Sequence, residues 1–406
     1  MSEWRKSCLG QLADIVKGDQ VNSDTLDQTG KYPVINGGME PSGYLDRWNR
    51  ERESITISEG GNSCGYVSLM KQRFWSGGHC YTLRMVQISN SYLYHYLKFI
   101  QQDIMKLRVG SGLPNIQRND IDEIEVCYPS DDQEQVRIAD ILSTVDDVIE
   151  KTEAAIEKYQ AIKAGMMQDL FTRGIDTQTC KLRPTIEEAP ELYKESKLGW
   201  IPKEWEVVEF KDACLEFING GTPSTKNASN WEGSIPWITG ADFWESFEVG
   251  FIRRHINEDA LRSSSSHLIR EGNILLVTRT GVGKLAIAPF DVAISQDITG
   301  IILDPSQYCV EFFYYYLQIL VEDFKKMNQG TSINGIIRSD LEATLILKPP
   351  LDEQKQIAAV LKALDETLKK EQSNLSKYHD LKIGLMADLL TYKVRVIINE
   401  DKLENS

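Results

Sequence analysis

An internal repeat constrains the fold of this chain more strongly than any other feature of its 406 residues. Residues 134–142 and 353–361 share the pattern Glu-Gln-x-x-Ile-Ala-x-x-Leu, and the match continues without a gap to Thr172 and Thr391. About fifteen of the roughly thirty-nine aligned residues are identical, which chance does not produce. The chain is therefore a tandem duplication.

Upstream of these segments the repeat weakens. Residues 111–121 resemble 331–341, and Trp4 resembles Trp205, but the sequence between shows little identity. This pattern indicates a shared framework that carries two diverged globular modules. We predict a first module over 1–130, a spacer helix over 131–173, a connector over 174–202, a second module over 203–350, a second spacer helix over 351–392 and a mobile tail over 393–406.

Both repeated segments predict one long helix. Their apolar residues alternate at three- and four-residue spacing, which is typical of a coiled-coil seam, and no proline interrupts them. Asp131 or Asp132 can cap the first helix and Asp352 the second. The predicted seam runs through Ile138, Leu142, Val145, Ile149, Ile156, Tyr159, Ile162, Met166 and Leu170, and through Ile357, Leu361, Leu364, Leu368, Leu375, Tyr378, Leu381, Leu385 and Leu389.

A seam of this length cannot face water, because about 39 residues at 1.5 Å each make a helix about 58 Å long. Each helix could pack on its own module, or the two helices could pack on each other. We favour antiparallel packing of the two helices, since a duplicated segment makes a two-fold-like arrangement natural. That arrangement would place the modules at opposite ends of a rigid rod.

The modules themselves show short strand-like runs that end in glycine-rich turns. Examples are 54–58, followed by Glu59-Gly60-Gly61, and 273–278, followed by Thr280-Gly281-Val282-Gly283. Aromatic runs at 92–97 and 312–317 predict helices that belong to the core. The fold class is therefore α+β or α/β: two globular modules separated by two long antiparallel helices that form a coiled coil, with a pseudo-two-fold internal repeat.

The composition restricts the class of protein. The formal net charge is −15, whereas nucleic-acid binders are usually basic. No run of 18 apolar residues is present, and residues 1–10 lack the apolar centre of a signal peptide, so we expect a cytoplasmic protein. The seven cysteines show no C-x-x-C spacing, which argues against a disulfide framework and structural zinc.

No catalytic motif is intact. Residues 278–285 lack the first glycine of a phosphate loop, and Leu285 stands where the loop needs serine or threonine. Residues 348–351 are only faintly similar to the Asn-Pro-Pro-aromatic motif of amino-methyltransferases. The five histidines show no metal-ligand pattern. We therefore expect a chain that is not an enzyme and holds no metal.

The ordered set of motifs resembles one family. The paired Glu-Gln-x-x-Ile-Ala-x-x-Leu helices, the opening Leu198-Gly199-Trp200-Ile201-Pro202-Lys203-Glu204-Trp205 and the run Phe217-Ile218-Asn219-Gly220-Gly221-Thr222-Pro223-Ser224 are similar to the specificity subunits of Type I restriction–modification systems. Ser234-Ile235-Pro236-Trp237-Ile238 is similar to a strand of the family's second module. The first module departs from the pattern, since Lys17-Gly18-Asp19-Gln20 replaces Gly-Gly-Thr-Pro-Ser.

The resemblance implies a non-catalytic subunit with two target-recognition domains, each of which reads one half of a bipartite DNA site. It implies that the helices set the spacer and dock two methyltransferase subunits, and that restriction subunits join this complex. It implies no cofactor in this chain, with S-adenosylmethionine, ATP and Mg²⁺ on the partner subunits. The alternative, which the acidic charge favours slightly, is a protein-interaction scaffold whose modules bind peptides or proteins.

A module that reads DNA needs polar side chains for base edges and cations for phosphates. Residues of these types lie on and around the predicted turns, and we predict that they contact DNA. In the first module they are Lys31, Asn36, Arg47, Arg50, Asn62, Lys71, Arg73, Ser111 and Asn115. In the second they are Thr225, Lys226, Thr239, Arg279, Thr280, Lys284, Ser332 and Asn334.

Overall fold

The computed structural model describes residues 3–110, 112, 114–244, 248–328 and 335–396. The chain divides into two compact units, each with one module and parts of both long helices. Unit 1 consists of Met1–Ala155 and Glu371–Ser406, and unit 2 consists of Ile156–Lys370. All seven cysteines carry free thiols. Among the described helices, none is both long and apolar enough to cross a membrane.

The first module lies in unit 1. Its strands are β1 (Trp4–Cys8), β2 (Asp14–Lys17), β3 (Tyr32–Ile35), β4 (Tyr44–Leu45), β5 (Ser54–Ser58), β6 (Val67–Met70), β7 (Trp75–Ser76), β8 (Cys80–Arg84) and β9 (Glu125–Pro129). Its helices are α1 (Leu9–Leu12), α2 (Asn90–Phe99), α3 (Gln101–Lys106) and α4 (Arg118–Asp122), and the first long helix α5 (Asp132–Thr172) begins directly after it. The central sheet has the antiparallel order β2-β8-β5-β6, and a smaller sheet has the order β4-β3-β7.

Unit 2 holds the connector and the second module. The connector forms two hairpins, β10 (Ile175–Asp176) with β11 (Lys181–Leu182) and β12 (Tyr193–Ser196) with β13 (Gly199–Pro202). The module's strands are β14 (Glu206–Glu209), β15 (Cys214–Asn219), β16 (Ile235–Ile238), β17 (Phe243–Trp244), β18 (Glu248–Val249), β19 (Arg254–Ile256), β20 (His267–Ile269), β21 (Ile274–Val277), β22 (Leu285–Ile287), β23 (Val292–Ile294), β24 (Ile298–Leu303) and β25 (Leu345–Lys348). Its helices are α6 (Phe210–Ala213), α7 (Glu258–Ser263), α8 (Val310–Asn328) and α9 (Arg338–Ala343), followed by the second long helix α10 (Leu351–Leu389).

The two modules share one topology. The central sheet β15-β24-β21-β22 repeats the order β2-β8-β5-β6 strand for strand. The parallel pair β16–β23 repeats the parallel pair β3–β7, and β14–β25 repeats β1–β9. Residues that occupy the same place in this shared topology are called matched positions below. The predicted fold class is confirmed, and the antiparallel central sheets favour its α+β form.

The aromatic runs form the cores, as predicted. In α2, Tyr92, Leu93 and Leu97 are fully buried, and in α8 Phe312 and Phe313 are fully buried. Burying a side chain of this size contributes about 2–3 kcal/mol, so each aromatic helix is a main source of its module's stability.

The repeated Gln of the helix motif closes a matched hydrogen-bond clamp in each unit. Gln135 accepts a bond from Ser89 N (2.8 Å), just before α2, and donates to Pro129 O (2.9 Å). Gln354 accepts from Cys309 N (2.9 Å), just before α8, and donates to Pro349 O (2.8 Å). Because both glutamines are buried, losing either side chain would leave backbone groups without partners.

The predicted caps of the long helices are half right. Asp131 Oδ1 accepts from Gln133 N at 2.9 Å, so Asp131 caps α5. Asp352, by contrast, was the wrong choice for α10. The helix begins at Leu351, and Pro350 O accepts from Gln354 N at 3.0 Å. Two prolines preset the entry into this helix, so Asp352 lies inside the first turn, where its charge interacts with the helix dipole.

Each long helix packs both on its own module and on the other long helix. In unit 1, Ile138 and Leu142 lie in the core of the first module together with Met386 and Leu389. In unit 2, the corresponding core contains Ile357, Leu361, Leu170 and Phe171. Both alternatives for covering the seam therefore hold, because the end of one helix meets the beginning of the other at a module.

Two matched ion pairs show that the helices are antiparallel. Asp146 pairs with Lys382 in unit 1, and Lys163 pairs with Asp365 at 2.6 Å in unit 2. Since Asp146 corresponds to Asp365 and Lys163 to Lys382 in the repeat, one pair is the image of the other.

The predicted seam is covered over most of its length. Its buried members are Ile138, Leu142, Ile149, Ile156, Leu170, Ile357, Leu361, Leu368 and Leu389, and its half-buried members are Val145, Tyr159, Met166, Leu364, Leu375, Tyr378 and Leu385. The matched pair Ile162 and Leu381 departs from the prediction, with 36% and 49% of the side chain exposed.

A buried carboxylate fastens the connector to the second long helix. Glu353 is fully buried, and it binds the Arg183 guanidinium through both oxygens. It also accepts bonds from Trp205 Nε1 at 3.0 Å and Ile175 N at 2.9 Å. Gly174, with φ of +63°, lies against this carboxylate, where a Cβ would clash with Glu353 and Trp205.

Candidate nucleic-acid interface

In the first module, a polar cluster lies where the central sheet ends. Glu59 directly follows β5, and 12% of its side chain is exposed. Lys17 Nζ donates to Glu59 Oε1 at 2.5 Å, and Tyr81 Oη donates to the same oxygen at 3.1 Å. His79 Nδ1 lies 3.3 Å from Glu59 Oε2. Burial and the Glu59 charge raise the pKa of Tyr81 to about 12, so its hydroxyl remains a donor.

Backbone hydrogen bonds identify the matched cluster in the second module. Glu59 N donates to His79 O, and Glu59 O accepts from Ile116 N. Thr278 N donates in the same way to Asp297 O, and Thr278 O accepts from Ile336 N. Thr278 is therefore matched to Glu59. By the strand registers, Asn219 is matched to Lys17 and Thr299 to Tyr81.

The second cluster is small and uncharged. Thr278 Oγ1 lies 3.3 Å from Thr299 Oγ1, which donates to Asn219 Oδ1 at 3.3 Å. The place that the Tyr81 ring takes in the first module therefore holds only a threonine. A cleft of about 520 Å³ lies here, lined among others by Asn219, Arg279, Thr280, Gln296 and Arg338.

A second cleft of the second module combines cations with indole rings. It has a volume of about 650 Å³, and Trp231, Arg254 and His255 line it. The Arg254 guanidinium lies 5.4 Å from the Trp231 ring centre and 6.0 Å from that of Trp237. Such pairs of arginine and aromatic rings suit a planar, electron-rich or anionic ligand.

The first module also presents cations between aromatic rings. The Arg73 guanidinium lies over Trp48 at 4.5 Å, Lys31 Nζ over Tyr32 at 5.3 Å, and these two rings contact each other at 4.9 Å. Arg47 lies over Trp75 at 4.8 Å. Stacking of this kind holds cations in place on an exposed surface, which suits contacts with phosphate groups.

Comparison with known proteins identifies the family. The family model of the Type I restriction modification DNA specificity domain matches residues 1–158 and 202–376. The chain belongs to this family. Specificity subunits are non-catalytic components that recognise DNA in restriction–modification systems, and this chain is such a subunit.

Individual relatives agree with this assignment. A putative type I restriction enzyme specificity subunit of Methanocaldococcus jannaschii is 29% identical over 76% of this chain and 69% of its own length. A putative type I specificity subunit of Mycoplasma genitalium is 25% identical over 97% of this chain and 96% of its own. The crystal structure of an S subunit from M. genitalium shares the fold, with a TM-score of 0.69 at 20% identity over 96% of each chain.

The structure places the predicted DNA-binding residues of this specificity subunit in several environments. Those with exposed side chains in the first module are Lys31, Arg47, Asn62, Lys71, Arg73 and Asn115. Those in the second are Thr225, Lys226, Arg279 and Thr280. Ser111, Ser332 and Asn334 lie outside the described residues. DNA contact by this set stays a prediction.

Several predicted residues are already held by contacts within the chain. Arg50 donates to Asn49 O at 2.8 Å, and Asn36 Oδ1 accepts from His79 N at 3.2 Å. Thr239 Oγ1 donates to Asp242 at 2.9 Å. Lys284 Nζ donates to Gly240 O at 2.9 Å. These side chains shape the loops from which others project.

Lys71 contacts a long helix. Its ammonium pairs with Glu150 of α5 at 2.5 Å. The matched helix position is Lys369, which pairs with Glu248 of the second module. The same place on the helix thus joins its own module in both units, with the charges exchanged.

Sequence reasoning missed the residues at the centre of the two clusters. The predicted DNA-binding residues do not include Glu59, His79 and Tyr81 of the first cluster. They also do not include Asn219, Thr278, Gln296 and Thr299 of the second. Their sequence signal is weak, because they lie on separate strands and turns in a region without identity between the halves. The clusters become visible only when strand register fixes the matched positions. Among the described residues, no group of His, Cys, Asp and Glu could hold a metal ion.

Proposed function

We propose that this specificity subunit reads a bipartite site in double-stranded DNA, one half with each module. The single observation that carries the proposal is the pair of matched clusters. One topology presents Glu59, Lys17 and Tyr81 in the first module and Thr278, Asn219 and Thr299 in the second. A shared frame with different donors and acceptors is what two readers of different base sequences need.

The antiparallel helices fix the spacer between the half-sites and dock two methyltransferase subunits. Support comes from the matched exposed residues Ile162 and Leu381, which give each helix an apolar contact point for one copy of the same partner. Restriction subunits join through this complex. The chain needs no cofactor, and S-adenosylmethionine, ATP and Mg²⁺ belong to the partner subunits. The complex works in the cytoplasm.

The net charge of −15 fits a complex in which this chain and the methyltransferase subunits share the affinity for DNA. The chain alone binds DNA weakly, because its 45 lysines and arginines are outnumbered by 60 acidic residues. That binding is sensitive to salt, because it depends on cations that pair with phosphates. Affinity increases when the methyltransferase subunits close around the duplex. This accounts for DNA recognition by an acidic protein, and it removes the main argument for a scaffold that binds only proteins.

Mapping methylated adenines in cells with and without this gene tests the proposal. We expect one bipartite motif, with two defined half-sites and a fixed spacer, to lose methylation when the gene is deleted. The control is the deletion strain in which the wild-type gene is restored, and it should regain methylation of the same motif. An unchanged methylation pattern in the deletion strain would overturn the proposal. Purified chain alone should transfer no methyl group from S-adenosylmethionine to DNA.

A further inference from the structure

One arginine in the cleft of the second module has no partner among the residues that the structure describes. Arg279 follows β21 directly after Thr278, its side chain is exposed, and it lines the cleft of about 520 Å³. No described residue forms a hydrogen bond, ion pair or ring contact with its guanidinium. The other arginine of the cleft, Arg338, is held by Glu342 at 2.6 Å.

The loop gives this arginine a defined position. Gly335 lies beside it, and a Cβ on that glycine would be 3.9 Å from both Cα and Cγ of Arg279. The preceding residue is fixed by backbone bonds on both sides, to Asp297 O at 2.8 Å and from Ile336 N at 2.7 Å. The stem of the side chain therefore starts from a rigid point at the cleft wall.

The surrounding side chains can recognise a base edge. Asn219, Thr280 and Gln296 line the same cleft and together offer both donors and acceptors, with one bond to each of the Asn219 and Gln296 amide oxygens already supplied by Thr299 and Thr222. A phosphate presents only acceptors, so it would make no use of their acceptor atoms. A guanine presents O6 and N7 side by side to the major groove, which matches the two parallel N–H groups of a guanidinium.

The first module cannot make the same contact. Glu59 is matched to Thr278, so the position matched to Arg279 is Gly60, which has no side chain. Tyr81 also fills the place of the cleft, with its hydroxyl 3.5 Å from Ile116 O. At this position the second module therefore offers a guanidinium in a cleft, whereas the first offers no side chain and no cleft.

We propose that Arg279 reads a guanine in the half-site of the second module, with Asn219 and Gln296 as neighbours that restrict the adjacent base pair. The first module reads its half-site without an arginine at this position. This inference rests on the proposed function and adds to it the base and the residue.

The test uses the full chain in complex with its methyltransferase subunits and selection of bound duplexes from a randomised library. The wild-type complex should enrich a bipartite motif that has a specific guanine in one half-site. The Arg279→Gln complex should enrich the same motif without the preference for that guanine. We expect the preference for that guanine to fall by about 10- to 100-fold while the other positions keep theirs. Arg270→Gln, which removes an exposed arginine of the second module that pairs with Asp291 outside this cleft, should leave base preferences unchanged.

A second measurement separates base contact from phosphate contact. Replacing that guanine by 7-deazaguanine removes the N7 acceptor, so it should weaken wild-type binding but leave the affinity of Arg279→Gln unchanged. Arg279→Lys keeps the charge but replaces the planar fork of N–H groups by a single ammonium, so it should weaken the guanine preference while it retains most of the non-specific affinity. If the Arg279 variants weakened all sequences equally, or changed nothing, the inference would be overturned. If wild-type complex enriched no bipartite motif, the proposed function itself would fail.

Discussion

His95 and Tyr315 occupy matched positions on the aromatic helices α2 and α8, and each faces an ion pair of the long helices. Tyr315 Oη donates to Asp365 Oδ2 at 2.9 Å. His95 is 1% exposed, its Nε2 lies 3.0 Å from Ser143 Oγ, and its Nδ1 is 3.8 Å from Asp146 without a hydrogen bond. Burial lowers the pKa of His95 to about 4, and the nearby Lys382 adds to this effect while Asp146 opposes it.

This histidine should make the stability of the protein depend on pH. Its pKa is about 4 in the folded chain, whereas the ordinary histidine pKa of 6.5 applies in the unfolded chain. Between these values the unfolded state binds the extra proton. The stabilising effect of neutral His95 is therefore complete above pH 6.5 and is lost as pH falls toward 4. Between pH 7 and pH 5 the loss amounts to about 2 kcal/mol.

Replacing the histidine tests this dependence. His95→Tyr introduces the side chain of the matched position, which can donate to Asp146, and His95→Gln is a neutral control that cannot titrate. Urea unfolding at pH 7 and pH 5 should show a smaller loss of stability for both variants than for wild type. Equal losses in all three proteins would show that other groups cause the pH dependence.

Sequence predicted single residues well only where a regular pattern constrained them. The buried positions Ile138, Leu142, Ile357 and Leu361 follow from helical periodicity. The polar residues around Glu59 and Thr278 do not, because their contacts join strands that are far apart in the chain. No local pattern specifies such register. The deciding information lies in the backbone bonds of 59 and 278.

At the scale of elements, the long helices were the most predictable part of the molecule. The prediction over 134–172 lies within the observed helix Asp132–Thr172, since a heptad pattern without proline leaves few alternatives. The two hairpins of the connector were not foreseen. Their strands have two to four residues, and the second long helix holds the connector through Glu353. Long-range contacts of this kind leave no local signature.

Replacing glycine by alanine should change the stability in opposite directions at two kinds of position in the long helices and at their ends. Gly174 has φ of +63° and touches Glu353 and Trp205, so Gly174→Ala should destabilise unit 2 by at least about 2 kcal/mol. Gly165 and Gly384 lie at matched positions inside the helices, and an added Cβ there would meet nothing within 4 Å. Either alanine should stabilise the chain by about 1 kcal/mol.

Thermal unfolding of the three single variants checks these signs. Gly165→Ala and Gly384→Ala serve as controls for each other, because the repeat places them in the same surroundings. A loss of stability in either would mean that the glycine has a packing role within the chain. A gain of stability in Gly174→Ala would contradict the close contact of Gly174 with Glu353 and Trp205.

At the scale of the whole molecule, the proposed function links the duplicated helices to the DNA site. The ion pairs Asp146–Lys382 and Lys163–Asp365 lock the register of the two helices, so neither can slide without breaking both. If the helices act as the ruler of the bipartite site, a matched insertion in both must change the spacer. Under the same proposal the insertion must leave the sequences of the half-sites unchanged, because the modules read them.

Inserting one heptad after Ala155 and one after Asn374 preserves the seam and both ion pairs while it lengthens the pair by about 10 Å. That length corresponds to about three base pairs of DNA.

Adenine methylation mapped in cells with the altered gene should show the original half-sites separated by a spacer about three base pairs longer, or no methylation if the added rotation prevents closure. A heptad in α5 alone breaks the register of the pairs and should abolish methylation. Half-sites of new sequence, or the old spacer, would show that the helices do not set the distance.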